Sequence, residues 1–499
     1  MTTPETDLTH PITAPAEPTT AAEADRIVTA AAEAAPVWAN TDRATRSRAL
    51  DAIADALDAA APVLVPTAQR ETHLAEGRLT GELKRTTFQL RLFAEAVREG
   101  GYLDARIDRA DPEWPMGAPR PDLRRWQVPV GPVVVFAASN FPFAFRVAGG
   151  DTASALAAGC PVVLKAHPGH PDLSATTGAV VRAALARGGF PPGVFDLVWG
   201  DEAGRAALSH PLVKAGAFTG SITGGRALFD IASSRPEPIP FFGELGSVNP
   251  VFVTRAADAA RGAEIAAEFV SSFTLGAGQF CTKPGVLLVP DSAAVTDALR
   301  AAELTQSAPL LNDRIAAGHR ATREALSSKP GVEVLRAGAT PEGDAPTPTL
   351  LSTDVTTLLA DLDGLLTECF GPTSLVVTYD EEQDLVRVAE ALDGQLTATL
   401  VAEETDVVAA DLARALVGKA GRLLWNQWPT GVSVTHAQQH GGPYPATTAP
   451  ATTSVGTAAI TRFLRPVAYQ NFPQHLLPDE LSDTPTAPVP RRVDGALEN

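Results

Sequence analysis

Apolar residues recur with two different spacings along the chain, and the spacing changes near residue 131. Before that point, over about residues 23–100, they follow the i, i+3, i+4 pattern of an amphipathic helix, as at Leu50 and Ile53. A pair of glycines follows at 100–101, which is typical of the end of a helix. The first hundred residues are therefore predicted to be mainly helical.

After residue 131, short runs of β-branched residues alternate with helical segments. Repeated strand–helix–strand units form right-handed crossovers in a parallel sheet that is covered on both faces. The pattern predicts a first α/β series with strands at 133–139, 161–166, 194–200 and 212–220, and helices that start near Arg146, Pro171 and Asp201. A second series follows, with strands at 249–254, 285–290, 374–380, 396–403 and 422–428, and helices at 256–270 and 404–417.

The break between the two series, near residues 240–250, is the predicted domain boundary. Segments rich in Pro and Arg, or in Pro and Thr, flank the two series and carry no core of their own. They are expected to form extended arms that pack on another subunit. The assignment is a first domain of residues 21–103 and 129–243, a second domain of 244–441, an arm of 104–128 and 442–499, and a disordered tail of 1–20.

The chain carries a large negative charge, with 58 Asp and Glu against 40 Lys and Arg. A net charge of -18 repels phosphates over most of the surface, so nucleic acids and anionic membranes are not expected as partners. Residues 126–145 are uncharged and long enough to span a bilayer, but their three prolines would break a spanning helix.

The cysteine content points to the compartment. Three cysteines in 499 residues cannot form a disulfide framework, which favours a reducing environment. The first twenty residues have neither the basic nor the apolar region of a signal peptide. A cytoplasmic location is therefore expected.

Three residues are candidates for catalysis. Cys281 lies in the glycine-rich segment GAGQFCTKPG, where a thiol is displayed rather than packed, although most free cysteines only fill cores. Glu244 lies in the apolar segment FFGELGSVNP, where burial would raise its pKa and make it a base, unless it simply pairs with an arginine. Asn140 follows an apolar strand, where its amide would stabilise an oxyanion or only form a turn.

A second group of residues has the positions of a nucleotide site. Gly220 and Ser221 join a strand to a helix, so that backbone N–H groups at the helix N-terminus face an anion, although this turn is common in many folds. Lys165 ends the second strand, where a carboxylate would select NAD. No carboxylate occurs at Ala166, His167 or Pro168, and a cation without an anion suits a 2′-phosphate. A lysine that only reaches solvent is the alternative.

Six segments, taken together and in this order, resemble the aldehyde dehydrogenase superfamily over about residues 21–477. They are NFP at 140–142, Lys165 at its strand end, FTGS at 218–221, ELG at 244–246, GQFC at 278–281 and ECFGP at 368–372. The resemblance implies an aldehyde dehydrogenase-like α/β fold, with two Rossmann-like domains and an extended oligomerisation arm. The first domain would bind the dinucleotide and the second would carry the catalytic cysteine.

The resemblance also implies a role for each candidate residue. Cys281 matches the nucleophile, Asn140 with the backbone N–H of Cys281 matches the oxyanion hole, and Glu244 matches the base. On the cofactor side, the matching positions are Lys165 and the adjacent His167 at the adenosine ribose, Gly220 and Ser221 at the pyrophosphate, and Glu368 and Phe370 at the nicotinamide ribose and ring. No metal site is predicted.

The segments ASNFPFAF, KAHPGHP and HGGPYPATT are most similar to one branch of that family, the 2,5-dioxopentanoate (α-ketoglutarate semialdehyde) dehydrogenases. The expected reaction is oxidation of that aldehyde to 2-oxoglutarate through a cysteine thioester. NADP is expected to be preferred by at least about tenfold, with NAD also accepted. The resemblance further implies a homodimer or homotetramer.

Other functions remain open at this point. A broad-specificity or long-chain aldehyde dehydrogenase that prefers NADP is the nearest alternative. A cysteine hydrolase such as a nitrilase would need no dinucleotide domain, and an acylating dehydrogenase that uses coenzyme A would not need Glu244. A catalytically silent protein of this fold would not be expected to keep all three of Cys281, Glu244 and Asn140.

Overall fold

The structure is a computed structural model that describes residues 10–291, 294–305, 307–339 and 343–498. Its α-helices are α1 (Ala21–Ala39), α2 (Arg43–Ala59), α3 (Ala61–Thr72), α4 (Glu76–Glu99), α5 (Gly150–Ala158), α6 (Pro171–Arg187), α7 (Asp201–Ser209), α8 (Ile222–Ser234), α9 (Arg255–Thr274), α10 (Ala294–Ala301), α11 (Asp313–Ser327), α12 (Val355–Ala360), α13 (Leu362–Leu365), α14 (Gln383–Ala391) and α15 (Val407–Val417). Short 3₁₀ helices occupy Gly101–Leu103, Leu275–Gly278, Thr457–Phe463, Gln474–Leu476 and Asp479–Leu481.

The described residues form three β-sheets. Their strands are β1 (Ala105–Asp108), β2 (Leu123–Pro129), β3 (Val133–Phe136), β4 (Val162–Lys165), β5 (Phe195–Val198), β6 (Ala215–Thr219), β7 (Phe241–Glu244), β8 (Val251–Val253), β9 (Val286–Pro290), β10 (Glu333–Ala337), β11 (Thr349–Asp354), β12 (Thr373–Tyr379), β13 (Gln395–Val401), β14 (Ala420–Trp425), β15 (Leu464–Gln470), β16 (Arg491–Val493) and β17 (Ala496–Glu498).

The first sheet has the order β5-β4-β3-β6-β7 and all of its strands are parallel. Alternate residues of its strands enter two different cores. Val133 and Val135 pack with α2 to α6, whereas Val134 and Phe136 pack with α1, α7 and α8. Burial on both faces explains why these strands read as uninterrupted apolar runs rather than as alternating patterns.

The second sheet has the order β10-β11-β12-β9-β8-β13-β14. Its strands are parallel except for the antiparallel edge strand β10. The strand and helix predictions for both series are confirmed in type, with shifts of a few residues at the ends. The helix expected near Arg146 begins at Gly150, and β7, β10 and β11 were not predicted.

A third sheet, also of five strands, has the order β15-β2-β1-β16-β17 and joins the two arm segments within one chain. The predicted arm is too long at one end, however. Residues 457–463 do not belong to it, because Ala459, Ile460 and Phe463 are buried in the core of the first sheet. Residues 442–456 lie instead against Glu244, as described below.

Part of the predicted disordered tail is ordered. Residues 1–9 lie outside the described residues, but the backbone of Ile12 and Ala14 is hydrogen-bonded to Thr176 and Asp172 of α6.

The helical part of the chain ends as predicted. Helix α4 ends at Gly100, which has the left-handed conformation (φ 88°). Among the described helices, none has the length and apolar character needed to cross a membrane.

Candidate active site

The candidate catalytic residues meet at the carboxyl edge of the first sheet. Glu244 is the last residue of β7 and pairs with Thr219 of β6. Asn140 lies in the turn after β3, and Cys281 lies in the loop between the 3₁₀ helix Leu275–Gly278 and β9. Side chains at the carboxyl ends of parallel strands converge, and this is where ligands bind in such sheets.

A histidine that the sequence analysis did not identify lies between Glu244 and Cys281. His440 Nε2 is 2.9 Å from Glu244 Oε1 and 3.6 Å from Cys281 Sγ. The ring of His440 is fully buried, and Nδ1 has no hydrogen-bond partner among the described residues. One ring nitrogen is therefore placed to exchange a proton with both the thiol and the carboxylate.

Glu244 is buried but favours its charged form. Burial alone would raise its pKa, but His440, the hydrogen bond from Ser454 Oγ (2.5 Å to Oε2) and the charge of Arg462 together lower it below its usual value. The expectation of a raised pKa for Glu244 is thus wrong, because the sequence does not show that polar groups surround it. Glu244 is an ionised, hydrogen-bonded base.

The thiol of Cys281, by contrast, favours its neutral, protonated form. Burial raises its pKa well above the usual value, and the negative charges of Glu244 and Glu368 raise it further, with Arg422 acting in the other direction. The resting thiol therefore keeps its proton and needs a base to become nucleophilic. His440 Nε2 is near enough to receive that proton.

The loop of Cys281 is held rigidly by polar contacts. Asn249 Nδ2 donates to the carbonyl oxygens of Cys281 (2.8 Å) and Lys283 (2.9 Å). Gly276 and Ala277 take the left-handed conformation (φ 57° for both), which turns the chain sharply before the cysteine. The sulfur is thus positioned by backbone geometry rather than by packing alone.

Asn140 lies beside this loop, as the oxyanion role requires. Its Nδ2 donates to the carbonyl of Gln279 (3.0 Å), two residues before Cys281, and its backbone carbonyl accepts from Arg78 Nη2 (2.8 Å). An amide has two N–H donors, and this contact uses one of them. The second is available for an oxygen of a molecule bound at Cys281.

The segment that contains Glu368 and Phe370 packs against the cysteine loop. Lys283 Nζ is buried and donates to the carbonyls of Cys369 (2.6 Å), Gly371 (3.2 Å) and Thr373 (2.6 Å). Burial raises the pKa of Glu368 to about 7, against the opposing charge of Lys283. These contacts fix the segment next to Cys281.

The helix N-terminus expected for the cofactor is also adjacent. Ser221 caps α8, accepting from the N–H of Gly224 (3.2 Å), and remains exposed. The N–H of Gly220 donates to the carbonyl of Glu244 (3.0 Å), so the start of α8 lies directly against the end of β7. A helix N-terminus in this position is the kind of site at which an anion such as a pyrophosphate binds.

Gly246 lies where the start of α8 and the side chain of Glu368 come close together. A Cβ atom placed on Gly246 would lie 2.7 Å from Glu368 Oε2 and 3.2 Å from Ile222 Cγ1, at the start of α8. Only a glycine therefore fits between the helix N-terminus and Glu368. A helix N-terminus and a carboxylate are the groups that hold a pyrophosphate and a ribose, so α8 and Glu368 are compatible with those two parts of a dinucleotide.

The expectation of an unpaired Lys165 is wrong. Lys165 was expected to have no carboxylate near it, but its Nζ is 2.6 Å from Asp201 Oδ1, at the start of α7. His167 lies near it, and burial, with Arg146, Lys165 and Arg314, lowers its pKa to about 3. His167 is therefore neutral, and its Nδ1 accepts from the N–H of Gly169.

His440 and Ser454 were not identified from the sequence because the groups that they contact lie far away along the chain. His440 is 159 residues from Cys281 and 196 from Glu244, in a segment without regular structure. The only signal was the glycine pair after the histidine. His440, Cys281 and Glu244 also place ligand-type atoms within 4.8 Å of one another, close enough for one divalent cation.

The parallel sheets and the convergence of Cys281, Glu244 and Asn140 are compatible with an oxidoreductase, and the sequence comparisons show which family it is. Residues 6–445 match the profile of the aldehyde dehydrogenase family, so the chain belongs to that family. It is an aldehyde-oxidising oxidoreductase.

Two relatives are similar over nearly the whole chain. α-Ketoglutaric semialdehyde dehydrogenase 2 of Azospirillum brasilense is 47% identical over 486 residues, covering 96% of this chain and 92% of the relative. α-Ketoglutaric semialdehyde dehydrogenase of Acinetobacter baylyi is 44% identical over 481 residues, covering 95% and 91%.

Solved structures of more distant proteins share the fold. Betaine aldehyde dehydrogenase of Staphylococcus aureus in complex with NAD has a TM-score of 0.76 at 21% identity, covering 91% of this chain and 89% of that one. 3,6-Anhydro-L-galactose dehydrogenase in complex with NADP has a TM-score of 0.76 at 21% identity, covering 92% and 96%.

The position of His440 generates a prediction about the thiol. In His440→Gln, the side chain still reaches Glu244 but can no longer take a proton, so kcat should fall by about a hundredfold. Alkylation of Cys281 by iodoacetamide should also become slower, with its pH midpoint moved to higher pH. The rate of alkylation as a function of pH measures this directly.

His436→Gln is the matched control, because His436 lies in the same loop and is exposed. Cys160 and Cys369 are buried and should not contribute to the alkylation signal. If His440→Gln and the unmodified enzyme had the same alkylation profile, His440 would have no part in activating the thiol.

Proposed function

We propose that this enzyme oxidises 2,5-dioxopentanoate to 2-oxoglutarate with NAD or NADP, through a thioester on Cys281. The observation that carries the proposal is the arrangement of Cys281, His440 and Glu244 beside Asn140 and at the end of the dinucleotide groove. Sequence identities of 47% and 44% to two α-ketoglutaric semialdehyde dehydrogenases over nearly the whole chain support the choice of substrate.

The first half of the reaction uses Cys281. When Nε2 of His440 carries no proton, it takes the proton of the thiol, and the thiolate adds to the aldehyde carbon. Nε2 then donates that proton in its hydrogen bond to Glu244. The alkoxide that forms is stabilised by the free N–H of the Asn140 amide and by the backbone N–H of Cys281. A nicotinamide dinucleotide bound in the groove supplies the hydride acceptor for this step.

The second half of the reaction uses Glu244. The thioester on Cys281 is hydrolysed by a water from which Glu244, directly or through His440, removes a proton. The ionised state of Glu244, stabilised by Ser454 and His440, suits this role at neutral pH. The presence of Glu244 at the sulfur favours hydrolysis over transfer to coenzyme A.

Arginine side chains near the nucleophile favour an aldehyde that carries its own carboxylate. The charges of Arg85 and Arg422 both interact with the Cys281 sulfur. Arg85 Nη1 and Arg422 Nε are buried and have no hydrogen-bond partner in the described part of the chain. A substrate carboxylate would give such donors a partner, which an uncharged aldehyde lacks.

Both cofactors belong to the proposal, and neither is named as preferred. The expected preference for NADP rested on an unpaired Lys165, and Lys165 is paired with Asp201.

A cytoplasmic location also remains part of the proposal, since Cys160, Cys281 and Cys369 are all free and the nucleophile must stay reduced.

We further propose that the third sheet joins subunits into a dimer or a dimer of dimers. Strands β15 and β17 form its two edges, and an unpaired edge strand can continue a sheet into another chain. Large apolar side chains lie exposed on the arm segments, among them Met116 (78%), Leu497 (60%) and Leu476 (58%). Exposed apolar surface of this kind is typical of an interface.

The proposed assembly predicts the mass in solution. Light scattering at micromolar protein should give two or four times the chain mass of 52.0 kDa. Removal of residues 464–499 should leave a smaller species, because the strands that form both edges would be gone. A stable monomer for the full chain would contradict the proposal.

The two proposed halves of the reaction can be separated kinetically. Glu244→Gln should release one equivalent of reduced cofactor rapidly and then turn over about a hundredfold more slowly, because hydrolysis lacks its base. Cys281→Ala should abolish turnover while cofactor affinity stays within about twofold, because the thiol forms the acyl intermediate but does not hold the dinucleotide. Stopped-flow absorbance at 340 nm follows both.

Two results would count against these roles. Turnover of Cys281→Ala within about tenfold of the unmodified enzyme would remove it as the nucleophile. A burst that is slowed as much as the steady state in Glu244→Gln would restrict Glu244 to activation of the thiol.

The proposed substrate is tested with a panel of aldehydes. We expect kcat/KM for 2,5-dioxopentanoate to exceed that for pentanal, an uncharged aldehyde of the same length, by at least about a hundredfold. Arg85→Gln should reduce this ratio mainly by raising KM for the charged aldehyde. Arg91→Gln, on the exposed side of the same helix and paired with Asp55 and Asp58, is the matched control.

Long-chain aldehydes belong in the same panel. If dodecanal were used as well as 2,5-dioxopentanoate, the enzyme would be a broad-specificity aldehyde dehydrogenase. If Arg85→Gln changed KM equally for charged and uncharged aldehydes, the carboxylate would not be bound at Arg85.

A further inference from the structure

An ion pair marks the adenosine end of the proposed cofactor groove. Lys165 ends β4, and Asp201 begins α7 after the neighbouring strand β5. Strands β4 and β5 are parallel and adjacent, with Lys165 next to Val198, so both charges lie at the same carboxyl edge of the sheet. Their Nζ and Oδ1 atoms are 2.6 Å apart.

The side chains of Lys165 and Asp201 differ in how far they can move. The Lys165 side chain is only 11% exposed, and a Cβ on Gly204 would lie 2.8 Å from its Cγ, so its stem is confined against α7. Asp201 is 70% exposed and can rotate towards solvent. The hydrogen bond and charge of Lys165 lower the pKa of Asp201, so the carboxylate is ionised.

Other charges face the same point. Arg205, one turn further along α7, and Arg314, on the exposed surface of α11, both act on Asp201. His167 is neutral at physiological pH, since its pKa is lowered to about 3. Asp201 is therefore an anion among the cations Lys165, Arg205 and Arg314, of which Arg205 is also 3.9 Å from the carboxylate of Glu202.

We propose that Asp201 is the residue that selects between the two cofactors, by occupying Lys165 and presenting a carboxylate where the adenosine ribose binds. Ribose hydroxyls donate to such a carboxylate, which favours NAD. A 2′-phosphate carries about two negative charges, so it is repelled by Asp201 and must compete with it for Lys165. The proposal rests on the proposed function in one respect, that the ribose binds beside Lys165.

Asp201 holds a position that a local reading of the sequence does not reveal. The carboxylate absent from 166–168 is supplied from the next strand–helix unit, 36 residues after Lys165 (201 − 165 = 36). Removing its charge should leave Lys165 and Arg314 to bind a phosphate. Asp201 is therefore a determinant of specificity, and its removal should improve binding of NADP.

The test measures binding rather than turnover. Dissociation constants of NAD and NADP are determined by isothermal titration calorimetry for the unmodified enzyme, Asp201→Asn and Glu202→Gln. Asp201→Asn keeps the size of the side chain, and we expect it to shift the affinity ratio towards NADP by at least about fivefold. Glu202, adjacent in sequence and 98% exposed, is the matched control and should change the ratio by less than about twofold.

A second variant gives the opposite sign. Lys165→Met removes the only cation that is within hydrogen-bonding distance of Asp201 among the described residues, so it should weaken NADP more than NAD. Equal changes for both cofactors in Asp201→Asn would overturn the role of Asp201 and leave the dehydrogenase function intact. Failure of the unmodified enzyme to bind either cofactor would instead overturn the proposed function itself.

Discussion

The contact between Glu244 and His440 is the interaction on which the rest of the site depends. A buried carboxylate is stable only when it is neutral or well solvated by polar groups, and Glu244 is solvated by His440 and Ser454. Burial raises the pKa of Cys281, and the charge of Glu244 raises it further. Burial and this negative charge together keep the thiol protonated at rest, and the imidazole between the two groups is the place where the proton moves.

This arrangement makes the C-terminal part of the chain a component of the active site. His440 and Ser454 belong to a segment that reaches the end of β7 through the bridge between Glu244 and Thr447. The segment is then fixed to the helices that cover the first sheet by a buried ion pair between Arg462 and Asp151 of α5 (2.7 Å). Glu244 is therefore oriented by residues that lie about two hundred positions later in the sequence.

The sequence predicts the parts of the fold in which local pattern and burial agree. Strands β3, β4 and β9 are buried on both faces and appear as apolar runs, and Cys281 is recognised from the motif around it. Strand β10 was not predicted because it is an edge strand with exposed and half-buried residues, so it carries no apolar run. His440 was missed for a different reason: its function comes only from neighbours that are distant in sequence.

Asp201 and His440 together define where a local reading of such a fold fails. A parallel sheet brings the ends of neighbouring strands together, so a charge missing after one strand can be supplied after the next. Asp201 supplies a carboxylate to Lys165 from the adjacent strand–helix unit. His440 supplies a ring nitrogen to Cys281 from another part of the chain. A bound molecule responds to the charge at a point in space, wherever in the sequence that charge comes from. The absence of a charged residue from a motif therefore does not establish that the site lacks the charge. The electrostatics of the groove must therefore be judged from the edge of the sheet as a whole.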